Sequence, residues 1–121
     1  MKKLLLTLAL SLFVSTLAFA GGAATKTVEQ VNNEMAKLKG QQVTVTGKVV
    51  KVNNGIMKRN FVHVEDGTGG KNSNKLIFTS KQTAKVGNNV TITGTVVLGT
   101  DFGMGYSYPL LIENSSITIN K

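Results

Sequence analysis

Side chains that can do chemistry are scarce in this chain. It has no cysteine and one histidine, His63, so a thiolate nucleophile, a disulfide, a cysteine-anchored lipid and any site built on several imidazoles are excluded by composition. The acids are Glu29, Glu34, Glu65, Asp66, Asp101 and Glu113. Glu65 and Asp66 are neighbours in a strand-like run, where successive side chains point to opposite faces, so they do not form a paired acid–base site. A serine or threonine nucleophile would have to take the lone His63 as its base. Asp66-Gly67-Thr68-Gly69 lacks the Lys-Ser/Thr and the following helix of a phosphate loop, and hairpin-turn chemistry explains it. The expectation is a protein without catalysis, cofactor or metal.

Binding chemistry is better represented. Phe102, Tyr106 and Tyr108 fall in one glycine-rich segment, residues 98–109, out of 5 Phe and 2 Tyr in the whole sequence. Lys58 and Arg59, the sole arginine, stand with Met57 in a second segment, residues 53–60. Rings beside cations suit single-stranded nucleic acid, since bases stack on the rings at about 1–3 kcal/mol each while Lys and Arg track phosphates. The same rings would equally cover the open end of a barrel. The lysines, among them Lys48, Lys51, Lys71, Lys75, Lys81 and Lys85, are scattered, as they are when charge serves solubility. Alternation puts Phe61, His63 and Glu65 on one face of a strand, with Val62 and Val64 on the other. The valines read as core, so Phe61 and His63 are expected to face outward onto a ligand surface. His63 with Met57 or Met104 would be a Cu(I) donor set, but no M-x-M or H-x-x-M spacing supports it.

These residues need elements to hold them. Met1, Lys2 and Lys3 make a basic head, Leu4 to Phe13 is apolar except for Thr7 and Ser11, and Ala18-Phe19-Ala20 has the small-x-small pattern of a cleavage site. Residues 1–20 therefore read as a signal peptide, and the protein as periplasmic or secreted. Removing Lys2 and Lys3 with it lowers Lys+Arg from 14 to 12 against 6 Asp+Glu, and the net charge from +8 to +6. The remainder is one small domain. Residues 21–39 form a lead and a helix, because Val28, Val31, Met35 and Leu38 recur on one helical face. Thr27 with Gln30 reads as a capping box, and Gly40 as the glycine after the helix.

An internal echo follows. Gly40-Gln41-Gln42-Val43-Thr44-Val45-Thr46-Gly47-Lys48-Val49-Val50 returns as Gly87-Asn88-Asn89-Val90-Thr91-Ile92-Thr93-Gly94-Thr95-Val96-Val97. Each copy alternates up to a central glycine, and then paired valines switch the inward parity. Such a strand bends sharply and serves two sheets, as small barrels require. With Asn60 to Glu65, Leu76 to Thr79 and Leu110 to Ile119, the count is five strands after one helix: an all-β domain over residues 40–121.

The order V-T-V-T-G-K-V-V, F-V-H-V-E-D-G-T-G, L-I-F-T and V-G-N-N-V-T-I-T-G-T-V-V resembles the OB-fold, a five-stranded Greek-key barrel. The nearest class is the one in synthetase anticodon domains and helicase-type modules. The whole chain is similar to small exported bacterial OB-fold proteins with G-Y-x-Y-P near the end. The resemblance implies a ligand face on the second and third barrel strands, flanked by residues 53–60 and 98–109. It would be served by Lys58, Arg59, Lys71 and Lys75 as backbone contacts and by Phe61, His63, Phe102, Tyr106 and Tyr108 as ring contacts. The implied ligand is single-stranded nucleic acid or another polyanion. The alternative is a protein, glycan or metal-handling partner in the envelope.

Overall fold

The computed structural model describes residues 22–120; the expected signal peptide lies outside them. Strand β1 (Ala24–Thr25) leads into two short helices, α1 (Val28–Asn33) and α2 (Met35–Leu38). Five strands follow: β2 (Gln42–Ile56), β3 (Arg59–Glu65), β4 (Leu76–Ser80), β5 (Asn89–Gly103) and β6 (Tyr106–Ile119). The protein is thus mostly β, as expected, with a sixth strand that the sequence reading did not include. No helix among the described residues is long and apolar enough to cross a membrane.

The long strands close on themselves. The sheet order β1-β2-β3-β4-β6-β5 is completed by a β2–β5 pairing, which makes a ring of five strands with β1 added in parallel outside β2. The first half of β2, Gln42 to Lys48, pairs antiparallel with β5. Its second half, Lys48 to Ile56, pairs with β3. The hand-over falls at Gly47. A Cβ there would lie 2.6 Å from the Glu65 carbonyl oxygen and 2.7 Å from Val64 Cγ1, closer than any side chain tolerates, so only glycine lets β2 turn from one partner to the other. Gly94 plays the same part in β5, where a Cβ would meet Ile112 Cγ2 at 2.8 Å, Glu113 O at 3.0 Å and Ser115 Oγ.

The expected parity switch occurs in only one copy of the echo. In β2 it lies beyond the glycine, at an irregularity between Val49 and Lys51, after which Val52 packs on the core. In β5, Val90, Ile92, Val96 and Leu98 stay on the core side throughout. There the extra residue sits in β6 instead, because Thr93 faces Ser116 while Thr95 faces Glu113. The bulge that bends a strand pair needs to be on only one of its members.

One seam of the ring is nearly bare of backbone pairing. Between β4 and β6 the only ladder position is Phe78 opposite Ile112. Side chains take over below it. The Ser80 hydroxyl donates to Ser115 O at 2.6 Å. The Gln82 amide imitates a peptide unit, accepting from Ile117 N–H at 2.8 Å and donating to Ile117 O at 3.4 Å.

Val43, Val45, Val62, Val64, Leu76, Phe78, Ile92 and Ile112 fill the interior, and Val28, Val31 and Leu38 close one end. The capping box is present, with Thr27 Oγ1 accepting from Gln30 N–H and Gln30 Oε1 accepting from Thr27 N–H. The expected single helix is interrupted at Glu34 (φ −108°, ψ 15°). Asn32 and Asn33 are weak helix formers, and the Glu34 carboxylate is drawn to Lys26 Nζ at 2.9 Å. Gly40 stands after α2 in the left-handed region (φ 81°), as read from sequence.

The Asp66-Gly67-Thr68-Gly69 stretch is structural, and its work is to fasten α1. Asp66 Oδ2 accepts from Val28 N–H at 2.9 Å and Thr68 Oγ1 accepts from Glu29 N–H at 3.0 Å. Burial by itself would raise the Asp66 carboxyl. Hydrogen bonds from the Thr68 hydroxyl and from the Val28 and Thr68 N–H groups outweigh it and hold the group below its usual value. A carboxyl depressed in the folded state contributes stability that is present above its unfolded value and lost as pH falls through the folded one. Urea unfolding across the acid range should therefore show wild-type stability falling as pH drops below about 4, with a shallower fall in Asp66→Asn. At pH 7, Asp66→Ala should cost about 1 kcal/mol, the usual magnitude for a lost cap.

Candidate functional site

The two segments flanking the expected ligand face, residues 53–60 and 98–109, are strand on either side of a two-residue turn. β2 runs to Ile56 and β3 starts at Arg59, while β5 runs to Gly103 and β6 starts at Tyr106. Each hairpin is closed by two residues with positive φ, Met57 (51°) with Lys58 (62°) and Met104 (55°) with Gly105 (87°). Those values match the type I′ turn, whose twist suits paired strands. Asn60 stiffens the first hairpin by accepting from Gly55 N–H and donating to the carbonyls of Lys81 and Gln82.

The outer face of β3 carries Arg59, Phe61 and His63, opposite the core valines, as the alternation requires. Phe61 faces Asn53 and Thr79 across its two neighbouring strands, and His63 faces Lys51 and Ile77. The β5–β6 hairpin folds over this face. Tyr108 lies 5.6 Å from Phe61 between ring centroids, tilted at 31°, and Phe102 meets Phe61 edge-on at 6.1 Å. Phe102 and Tyr108 meet at 6.0 Å. Such edge and offset contacts contribute about 0.5–1.5 kcal/mol beyond area burial. The consequence corrects an expectation: Phe61 is only 2% exposed, so it supports the other rings and is not itself an open stacking surface.

Arg59 is corrected in the same way. Its Nε donates to Glu113 Oε1 at 2.9 Å, its Nη1 to Met57 O at 3.2 Å, and its guanidinium carbon lies 4.9 Å from the Phe102 ring centroid. The Thr79 hydroxyl donates to the same Glu113 oxygen at 2.9 Å. Glu113 is therefore the anchor of the site, tying β3, β4 and β6 together, and it had been assigned no role from sequence. Its partner Arg59 is distant in the chain, so no local pattern marks the pair. Arg59 is held in place by it instead of standing free for a phosphate.

A second row lies beside the rings. His63 is half-buried and its protonation is disfavoured, first by burial and then by the positive charges of Lys51 and Lys75. It is neutral at pH 7 and its buried Nδ1 has no partner among the described residues. The two lysines also repel a metal cation, and no three His, Asp or Glu side chains group as a metal site among the described residues. Lys75 thus comes to the face with His63, and Lys51 joins it although it was not singled out. Lys58 and Tyr106 sit exposed at the two hairpins. Lys71 does not join them: it is exposed in the β3–β4 loop and is not among the charges that act on His63.

The fold is similar to solved structures. Neither a protein-family model nor a curated protein matches the chain. An OBody bound to hen egg-white lysozyme superposes with a TM-score of 0.59 at 19% identity, over 81% of this chain and 95% of that one. A putative aspartyl-tRNA synthetase from Leishmania major Friedlin gives 0.58 at 11% identity, over 90% of this chain but only 23% of the synthetase. At these identities the likeness is one of fold.

Removing the anchor should loosen the whole face. Tyr106 and Tyr108 are the only tyrosines and there is no tryptophan, so tyrosine emission reports on the β5–β6 hairpin alone. Glu113→Ala leaves Arg59 and Thr79 without their acceptor and should destabilise by about 1–3 kcal/mol. It should also change the tyrosine emission of the folded protein; an unchanged spectrum would separate Glu113 from the ring cluster.

Proposed function

We propose that the chain is an exported, non-catalytic OB-fold binding protein, whose outer β3–β4 face holds single-stranded nucleic acid or a comparable polyanion. The closed ring of five strands and the fold likeness to an OBody and to part of a tRNA synthetase support the OB-fold reading. The signal-peptide pattern of residues 1–20 supports export. One observation carries the ligand: the Arg59–Phe102 stack and its neighbouring rings lie on the same sheet face as His63 and two lysines, Lys51 and Lys75. Rings and cations on one face are what a strand of bases and phosphates requires. Phe102, Tyr106 and Tyr108 offer ring surface, Lys51, Lys58 and Lys75 neutralise phosphates, and neutral His63 lies where a base edge would pass.

A protein partner is the second reading. Met104 at 96% and Tyr106 at 42% exposure make an apolar tip on the β5–β6 hairpin, and one protein of similar fold is bound to lysozyme.

Titrating a single-stranded oligonucleotide while following tyrosine emission tests the first reading. Quenching is expected, with log K falling against log salt at a slope of about −2, the value for three phosphates neutralised on a single strand. Lys51→Ala and Lys75→Ala should each flatten that slope by about 0.7 and weaken all sequences alike. No quenching at low salt, or binding indifferent to salt, contradicts the reading and leaves the protein partner.

A further inference from the structure

The seam between β4 and β6 holds a feature that the ring face does not use. Where β6 bulges between Glu113 and Ser116, the two strands part, and a cavity of about 420 Å³ opens between them and the β2–β3 turn. Its lining includes Lys58, Arg59 and Lys81 with the polar side chains of Ser80, Asn114 and Ser116, and it includes no acidic residue. The nearest fixed carboxylate is Glu113, already held by Arg59 and Thr79. Three cations against that one anion leave the cavity region at +2. Neither Lys58 nor Lys81 has an ion-pair partner among the described residues.

The geometry points to a site for a tetrahedral oxyanion carried on a larger group: a phosphate or sulfate monoester. Three observations bear on this. The charge is concentrated, with cations from two separate segments, the β2–β3 turn and the end of β4, converging on one hollow. The hollow carries polar side chains at its rim, where Asn114 (φ 53°) falls in the bulge between the ladder residues Glu113 and Ser116. Its volume lies within the range of small-ligand pockets, roughly 300–1,000 Å³, which is larger than a bare phosphate needs and enough for the adjoining sugar. Charge-assisted hydrogen bonds from Lys58 and Lys81 to such an oxyanion are about twice as strong as neutral ones, and Arg59, held by Glu113, adds its charge without being released. Arg59 belongs to both regions, so a strand crossing the rings would bring its terminal phosphate to this hollow. This extension rests on the proposed function; the oxyanion site itself does not.

The test compares a trinucleotide with a 5′-phosphate, the same trinucleotide without it, and inorganic phosphate alone. Backbone amide shifts of Lys81, Ser115 and Ser116 report on the seam, and tyrosine emission reports on the ring face. The phosphorylated trinucleotide should bind about tenfold more tightly than the plain one, equivalent to about 1.4 kcal/mol, and only it and inorganic phosphate should move the seam amides. Lys81→Gln should abolish the tenfold advantage. Its side chain is exposed and makes no hydrogen bond among the described residues, so the variant should fold as the wild type does. Equal affinities for the two trinucleotides with unmoved seam amides would overturn the inference, as would an advantage that survives Lys81→Gln. If both trinucleotides quench tyrosine with the same midpoint, the inference fails and the ring face stands. If inorganic phosphate moves the seam amides while neither trinucleotide quenches, the proposed function fails and the oxyanion site stands.

Discussion

The close backbone approach at Gly47 and Gly94 is the constraint on which the rest of this structure depends. A ring of five strands must have members that leave one partner and join another, and in a small domain the turn between partners brings chains to within a side chain's radius. At Gly47 the carbonyl of Glu65 occupies the space of a Cβ, and at Gly94 Ile112, Glu113 and Ser115 do. With a methyl group at either point, the antiparallel pairings of β2 with β3 and β5, or of β5 with β6, could not all be kept at their present spacing. A chain without cysteine has no covalent substitute for that closure.

Closure in turn builds the face. Because β2 and β5 each continue past their glycine as one arm of a long hairpin, both hairpins extend from the same end of the ring and meet over β3. The rings of Phe102 and Tyr108 then cover Phe61, and Glu113 fixes Arg59 against Phe102. In the proposed function, stability and recognition share these residues. Phe61 and Glu113 are committed to holding the face together, while Phe102, Tyr106 and Tyr108 keep part of their ring surface exposed, the surface to which the proposal assigns the ligand. A site made this way is preorganised, since its rings are packed before anything binds.

Much of the scaffold was legible because it is local. Alternation in Val43 to Val45 and Val90 to Ile92 gives strand and face, the repeated glycine gives the bend, and Thr27 with Gln30 gives the helix start. What sequence did not disclose depends on distant partners or on backbone that residue type does not mark. The break at Glu34 coincides with an ion pair to Lys26, eight residues back. The Met57-Lys58 turn puts two non-glycine residues at positive φ, so no Asn-Gly signal announces it. Glu113 meets Arg59 across 54 residues. Phe61 was placed on the correct face, but its cover arrives from another hairpin, and the same hidden partner removed Arg59 from the list of free cations. Lys71 looked equivalent to Lys75, but only Lys75 lies near enough to His63 to disfavour its protonation.

The dependence of the whole assembly on the glycine bends is open to one direct measurement, the urea unfolding of Gly47→Ala beside Gly70→Ala. A Cβ at Gly70 meets nothing within 4 Å and its φ is not in the left-handed region, so that variant should stay within about 0.5 kcal/mol of wild type. Gly47→Ala forces backbone to shift and should cost about 1–3 kcal/mol, the range for overpacking, with tyrosine emission altered in the folded state as the ring face loosens. Equal stability of the two variants, with unchanged emission, would contradict the account.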